Sequence, residues 1–273
     1  NSGTIWIVEG EGATGNVEVS ELDNYVTGQS VGDEIGKAFG VLDFNGDGND
    51  DLMVGSADSS EGGTKAGIVH LVYGPIAGAV SLADADVQYT GESASDELGI
   101  SISGAGDVDG DGYHEFIAGA PYDDEGGPDA GAAYVVNGGA AAGSGSVDDF
   151  VMVKFVGESG GDQFGYTVAG GGDVGGTSDD GELDFIVTGP FAGGAVTTGA
   201  AYVFYGPAEG TILAADANAR IDGDLAEDML GITVEIVGDI DGSGNDAFLV
   251  GTPFKDTFAE DAGGAYLMFD IGL

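Results

Sequence analysis

The chain has 273 residues, 42% of them hydrophobic, and its 49 acidic and 5 basic residues give a formal net charge of -44. This charge excludes nucleic acid and anionic membrane surfaces as partners, because both are negative themselves, and the absence of cysteine excludes disulfides and thiolate metal sites. No run of 18 apolar residues predicts a membrane span, and the N-terminus lacks the charged start and apolar run of a signal peptide.

The negative charge also indicates the setting of the chain. Self-repulsion destabilises a compact acidic protein at low salt, and dissolved salt or bound divalent cations reduce that repulsion. We therefore expect an extracellular, marine or halophilic environment. A disordered acidic chain is disfavoured, because apolar residues recur in ordered blocks and 10 Tyr and 13 Phe are available for a core.

The first predicted element is a short strand, Gly3-Thr-Ile-Trp6-Ile-Val8, in which glycine stands three residues before an aromatic ring. The pattern returns at Gly67 to His70, Gly131 to Tyr134, Gly199 to Tyr202 and Gly263 to Tyr266, with histidine replacing the aromatic ring in the first of these copies. Because the rings recur at one fixed position, we expect them in the core and not in a sugar-binding stripe.

A repeated unit follows this strand and begins at Gly28, Gly91, Gly157 and Gly223. Each copy continues with an acid, an apolar-glycine pair, a short alternating run, an acidic loop and an apolar strand that ends in a sequence such as Gly119-Ala120-Pro121. A variable loop, the Gly-x-x-aromatic strand and a weaker strand such as Val87-Gln-Tyr89 complete it.

These blocks predict an all-β fold, because they are short, often alternating, and bounded by Gly, Pro, Asp or Asn. Helical periodicity is confined to a possible turn near 213–219. Each unit, called a module below, then has about four antiparallel strands and must pack on its neighbours, either round a ring as a propeller blade or along a line. The low-complexity stretch 138–146 is predicted to be a surface loop.

The predicted boundaries divide one continuous array. A partial module covers 1–27, and modules 1 to 4 cover 28–90, 91–156, 157–222 and 223–273, the last without its final strand.

The acidic loops begin at Asp43, Asp107, Asp173 and Asp239, in steps of 64, 66 and 66 residues. The second reads Asp107-Val-Asp109-Gly-Asp111-Gly112-Tyr113-His114-Glu115. Oxygen side chains at alternate positions, followed by glycine, form a turn that wraps a hard cation, and Ca²⁺ fits better than Mg²⁺, which prefers to keep several waters. A fixed period of this length indicates a repeat architecture.

With these residues in place, the module resembles the FG-GAP repeat of integrin alpha-chain propellers and related bacterial and archaeal surface proteins. Phe164-Gly165 matches the "FG" half, Gly119-Ala120-Pro121 matches the "GAP" half, and the acidic loop resembles the nine-residue calcium loop of the family. The resemblance covers nearly the whole chain. It implies that each module is a blade of a β-propeller, with about four full blades and a partial one here. It leaves open whether the two ends pair with each other, join neighbouring chains, or belong to a longer chain.

The resemblance also implies side-chain ligands at loop positions 1, 3, 5 and 9 and a backbone carbonyl at position 7. The first loop then offers Asp43, Asn45, Asp47, Asp51 and the carbonyl of Asn49. The second offers Asp107, Asp109, Asp111, Glu115 and the carbonyl of Tyr113. Neither is an EF-hand, because position 12 is not glutamate and the flanks are predicted strands.

The other two loops depart from the pattern. The third contains a three-residue insertion and offers Asp173, Asp180, Asp184 and the carbonyl of Glu182. The fourth offers Asp239, Asp241, Ser243 and the carbonyl of Asn245, and it has alanine at position 9. Asp246 is adjacent to that alanine, but neighbouring strand residues point to opposite faces. We expect weaker sites in both loops.

The sequence predicts no enzyme. It lacks a nucleophile-base pair, a Gly-x-Ser-x-Gly motif and a phosphate-binding glycine loop. Its two histidines are His70, at the repeated ring position, where packing is expected, and His114, which we expect to be exposed in a metal loop.

We therefore expect a calcium-binding extracellular propeller that acts as an adhesion scaffold for a protein or glycan. Its contacts would come from the variable loops 56–66, 122–130 and 254–262. One alternative is a structural subunit that assembles through its edge strands into a filament or surface layer. A less favoured alternative is a propeller-type polysaccharide lyase or phospholipase.

Overall fold

The computed structural model describes residues 2–8, 18–139, 143–175, 181–194, 196–256 and 261–269. Within these ranges the protein is built from strands and four 3-10 turns and contains no α-helix, as the all-β prediction requires. None of the helical turns in the described ranges has the length or apolar character needed to cross a membrane.

The strands follow the predicted modules. The partial module holds β1 (Thr4–Trp6) and β2 (Tyr25–Thr27). Module 1 holds β3 (Ala38–Leu42), β4 (Asp51–Gly55), β5 (Ile68–Val72), β6 (Ala79–Ser81) and β7 (Val87–Thr90). Module 2 holds β8 (Ile102–Gly106), β9 (Glu115–Ala120), β10 (Ala132–Val136), β11 (Gly145–Ser146) and β12 (Val151–Val156). Module 3 holds β13 (Thr167–Gly172), β14 (Asp184–Gly189), β15 (Ala200–Phe204), β16 (Gly210–Leu213) and β17 (Ala219–Asp222). Module 4 holds β18 (Thr233–Gly238), β19 (Ala247–Thr252) and β20 (Gly264–Met268).

Modules 1 to 3 each form the predicted four-stranded antiparallel meander. In module 2 the strand order is β8, β9, β10, β12, with Tyr134 opposite Ala118 on one side and Lys154 on the other. Module 4 has three such strands, β18, β19 and β20. The register places the Gly-x-x-aromatic ring of β10 and β15 in the core, where Tyr134 and Tyr202 are buried. The same prediction is wrong for Trp6, which is 36% exposed.

A parallel strand from the next module covers the outer edge of three meanders, and the sequence analysis did not predict it. β6 pairs with β2, β11 with β7, and β16 with β12. Each of these strands leads directly into a 3-10 turn, at Leu82–Asp84, Val147–Asp149 and Ala214–Asp216. The prediction that 138–146 is a surface loop is therefore wrong for Gly145–Ser146, which form β11, and 140–142 lie outside the described residues.

The sheets stack face to face, because alternate residues of each strand point to opposite sides. In β9, Phe116 and Ala118 pack towards module 1, and Ile117 packs towards module 3. The first strands of the modules, β3, β8, β13 and β18, lie side by side, and residues at their starts line one common opening. The apolar cores thus lie between modules, as expected for sheets too small to bury both faces alone.

A glycine at the start of the third strand permits this close stacking. Gly131 makes a parallel bridge to Phe164 of the next module, and equivalent bridges join Gly3 to Ile35, Gly67 to Leu98 and Gly199 to Leu230. A Cβ atom at Gly131 would lie 2.0 Å from the carbonyl oxygen of Phe164, and φ at Gly131 is +85°. Only glycine fits this position without displacing the backbone.

Candidate metal centre

The four acidic loops occupy equivalent places between the first and second strands of each module. The aspartate at position 1 shapes each loop, because its Oδ2 accepts a hydrogen bond from a glycine N–H across the turn. The donors are Gly48 for Asp43, Gly112 for Asp107, Gly181 for Asp173 and Gly244 for Asp239, at 2.9 to 3.2 Å. The loops therefore share one turn geometry, including the third with its insertion.

The acid that ends each of the first three loops ties the loop to the end of the third strand. In loop 2, Glu115 accepts the N–H of Val108 through Oε2 at 2.7 Å and that of Gly138 through Oε1 at 2.9 Å. Asp51 does the same with Phe44 and Gly74, and Asp184 with Val174 and Gly206. All three carboxylates are buried.

Loop 2 brings three carboxylates into a metal-sized group. One oxygen each from Asp107, Asp109 and Glu115 lie within 4.8 Å of one another. Asp107 Oδ1 is buried and has no hydrogen-bond partner. A buried carboxylate oxygen without a donor is costly unless a cation contacts it. The all-oxygen donor set therefore fits a hard cation such as Ca²⁺.

The electrostatics of the metal-free loop are unfavourable. Burial raises the pKa of Glu115, the N–H groups of Gly138 and Val108 lower it, and the neighbouring Asp109 and Asp111 raise it further. Burial likewise raises the pKa of Asp51 in loop 1. Both ionised carboxylates would gain from a nearby positive charge.

Loop 1 has the predicted residues, but its oxygens bond to its own N–H groups. Asp47 Oδ1 accepts the backbone N–H and the side-chain amide of Asn49, both at 2.8 Å, and Asn45 Oδ1 accepts the N–H of Asp47 at 2.9 Å. Within the described ranges, three acidic ligands come together in loop 2 and not in loop 1.

The third and fourth loops differ as their sequences indicate. Asp180 lies outside the described residues. In loop 4, Asp239 Oδ1 accepts the N–H groups of Gly242 and Ser243, and position 9 is the buried Ala247. Asp246 turns to the neighbouring loop 3, where its Oδ2 accepts the N–H of Asp173 at 3.3 Å. It is therefore unable to replace the ninth ligand of its own loop.

Other committed residues occupy ordinary positions in these loops. Asp109, Asp111, Asp241 and Ser243 are exposed, Tyr113 and Glu182 are half-buried, and Asn245 is buried. His70 is buried, as the packing prediction requires. His114 is half-buried, so the expectation of full exposure is wrong.

Sequence reasoning missed a second polar cluster, which lies at the junctions between modules. Lys154 is buried and pairs with Glu92, Asp123 and Glu125, with Nζ–oxygen distances of 2.8, 3.4 and 2.6 Å. Cationic groups also lie over Tyr134, Tyr202 and Tyr266, from Lys154, Arg220 and Lys255. The only available signal was the scarcity of basic residues: all five of them are ion-paired.

Comparison with known proteins agrees with this geometry. The model of the FG-GAP repeat family matches residues 36–72 and 98–136, which contain the first two acidic loops. Modules 3 and 4, with the insertion and the lost acid, lie outside the matched residues. The chain is similar to Integrin alpha-PS2 of Drosophila melanogaster, with 32% identity over 127 residues. That similarity covers 41% of this chain and 8% of the length of the relative.

Proposed function

Because the chain contains FG-GAP repeats of the integrin alpha type, we propose that it is a calcium-stabilised β-propeller array. In this proposal it serves as a non-catalytic binding scaffold at the cell surface. The observation that carries the proposal is the group formed by Asp107, Asp109 and Glu115, with the unpartnered oxygen of Asp107, inside a matched repeat.

Calcium would act here as a structural ion. Ionised carboxylates held about 4 Å apart repel one another by about 4 kcal/mol per pair at an effective dielectric near 20. A bound Ca²⁺ converts that repulsion into attraction. Because Glu115 also holds the N–H groups of Val108 and Gly138, the ion would join the loop to the end of β10.

The other loops would bind more weakly or not at all. Loop 1 offers Asp43, Asn45, Asp47, Asp51 and the carbonyl of Asn49, but it must exchange its internal hydrogen bonds for the ion. Loop 3 would use Asp173, Asp184 and the Glu182 carbonyl together with Asp180. Loop 4 would be the weakest, because Ala247 replaces the acid that the other loops use.

The partner in this proposal is a protein or glycan, bound by the variable loops 56–66, 122–130 and 254–262. All five basic residues are ion-paired, so an anionic partner would find little free positive charge. A cell-surface or otherwise extracellular location, in calcium-rich or saline surroundings, fits both the ion and the net charge of -44. Assembly through edge strands is a second candidate, favoured by the open edges of β1 and β20.

Thermal unfolding in Ca²⁺, in EGTA, and in EGTA with molar NaCl tests the metal proposal. Each independent site adds about 2.7 kcal/mol to the free energy of unfolding at 100 times Kd. We expect a large loss of stability in EGTA that NaCl does not reverse. If NaCl alone restores stability, net charge and not specific ion binding explains the loops, and the calcium proposal is wrong.

Calorimetric titration with Ca²⁺ then counts the sites. We expect the strongest heat signal to disappear in an Asp107→Asn variant. An Asp148→Asn variant, which removes an exposed acid from a 3-10 turn, should leave that signal unchanged.

A further inference from the structure

One continuous segment of each of modules 1 to 3 joins two sheets. In module 1 this closing segment runs from β6 to β7. β6 pairs parallel with β2 of the preceding module, and β7 pairs antiparallel with β5 of its own module. The segments from β11 to β12 and from β16 to β17 repeat this arrangement. Each closing segment thus needs two acceptor edges, one in each of two adjacent modules.

An apolar anchor lies between the two paired halves of the segment. It is the first residue of the 3-10 turn, and in all three cases it is buried: Leu82, Val147 and Ala214. Leu82 belongs to the same core cluster as Val26, Leu52 and Val72, which come from the two strands it bridges and from β4. The segment is therefore held by backbone pairing at both ends and by side-chain burial in the middle.

The same pair of acceptor edges recurs at the junction of modules 3 and 4. Within the described ranges no strand pairs with the outer edge of β17, and none pairs with β20 on the side away from β19. Ile221 of β17 and Met268 of β20 occupy the positions of Val26 and Val72. Val26 and Val72 are buried, whereas Ile221 and Met268 are partly exposed.

The backbone of β17 is oriented to accept such a segment. In β7, Gly91 donates to Gly67, and the N–H of Gln88 points outward and donates to Ser144 Oγ in the approaching segment. In module 3 the corresponding bond runs from Gly223 to Gly199. By the alternation of an antiparallel ladder, the backbone groups of Arg220 and Asp222 point outward.

We propose that the edges of β17 and β20 form one docking groove for an extended polypeptide segment from outside these 273 residues. The segment runs parallel to β17, places a small apolar anchor against Ile221, Phe248 and Met268, and then runs antiparallel to β20. A second copy of the chain is not the occupant, because its own three closing segments are all paired internally. The inference depends on strand edges and not on calcium.

A synthetic peptide with the sequence of residues 78–90, Gly-Ala-Val-Ser-Leu-Ala-Asp-Ala-Asp-Val-Gln-Tyr-Thr, is the probe. The pairing of Val80 with Val26 predicts that the third residue of the peptide lies beside Ile221. The chain contains no cysteine, so an Ile221→Cys protein and a peptide with Val80→Cys can form one defined disulfide. We expect rapid cross-linking with this peptide and at least roughly tenfold slower cross-linking with cysteine at Ala83.

Two variants on opposite faces of β20 test the anchor by fluorescence anisotropy with labelled peptide. Met268→Asp should weaken binding by at least roughly tenfold, because the charge enters the anchor position. Leu267→Asp, on the other face of the strand, should not. If Met268→Asp impairs folding, a peptide with Leu82→Asp tests the same contact on the unaltered protein.

The measurements are made with and without Ca²⁺, under salt conditions that keep the protein folded, so failure of the calcium proposal leaves this result readable. Equal cross-linking at both cysteine positions, or binding that is indifferent to Met268→Asp and to the Leu82→Asp peptide, would overturn the groove. A concentration-dependent dimer that the peptide dissociates would assign the groove to a second copy instead and overturn the proposed occupant.

Discussion

Lys154 and Asp123 form an ion pair inside the protein, with 3.4 Å between Nζ and Oδ2 and no more than 6% of either side chain exposed. Burial lowers the pKa of Lys154, but hydrogen bonds to Glu125 and Glu92 outweigh burial and leave its pKa raised. Tyr134 donates its hydroxyl to the same two acids, Glu92 and Asp123. A single cation therefore neutralises a group of acids at the junction of modules 1 and 2.

Replacing this cation should be costly. Lys154→Met leaves Asp123 buried without its partner, and loss of one member of a buried pair typically costs about 3–5 kcal/mol. Lys37→Met is the control, because Lys37 pairs with Glu34 and Asp58 at the surface and exposed pairs contribute about 0–1 kcal/mol. Urea unfolding of both variants measures the difference. Similar losses in the two would show that Lys154 is not a buried structural cation.

The bridging glycine of β10 offers a second test. Gly131→Ala places a Cβ 2.0 Å from a carbonyl oxygen at positive φ, so we expect a loss of about 3 kcal/mol or more. Gly161→Ala has the same φ of +85° but open space around its Cβ and should cost about 1–2 kcal/mol. Thermal unfolding separates the steric contribution from the conformational one, and equal losses would contradict the close approach of modules 2 and 3.

His70 should make stability depend on acid pH. Burial lowers its pKa to about 4, so the folded state favours the neutral imidazole. This contribution is complete above about pH 6.5 and is lost as pH falls from 6.5 towards 4, by up to about 3 kcal/mol. Burial raises the pKa of Asp96 and Asp162 to about 6, which acts in the opposite direction.

The comparison that isolates His70 is the difference between the unaltered protein and His70→Gln, because contributions of other groups then cancel. We expect the His70→Gln variant to gain stability relative to the parent as pH falls through this window. A constant difference from pH 7 to pH 4 would show that the imidazole does not titrate in the folded protein as its burial implies.

Glu115→Gln should have opposite effects with and without calcium. In EGTA the neutral amide removes a buried charge whose pKa is raised by burial, so the variant should be as stable as the parent or more stable. In Ca²⁺ it should lose much of the stabilisation that the ion supplies, about 2.7 kcal/mol at 100 times Kd. Thermal unfolding in both conditions measures this crossing. Asp148→Asn controls for the change in net charge.

Much of the fold could be predicted from the chain because its signals are local and repeated. The glycines before each ring, the acidic loops and the short apolar blocks predict strands and turns directly, and the family match confirms the FG-GAP assignment. The propeller itself, its closure and the calcium remain proposals.

Other features could not be predicted, because they depend on contacts between modules. Gly145–Ser146 have no strand propensity, and they pair only because the edge of β7 lies beside them. Asp246 contacts loop 3 through a neighbour that no local pattern identifies. The exposure of Trp6 reflects the absence of a described sheet on its outer side, whereas Tyr134 at the equivalent position is covered by module 1.

The parallel pairing of β11 with β7 has a consequence for synthesis on the ribosome. Gly145 lies opposite Tyr89, so about 55 further residues must emerge before the outer edge of the module 1 sheet is covered. The same delay separates β2 from β6 and β12 from β16. Each sheet is therefore completed only by its successor, and a growing chain always carries one open edge at its newest finished meander. An open edge of this kind is a site for mispairing with other chains, and the high negative charge keeps such nascent chains apart.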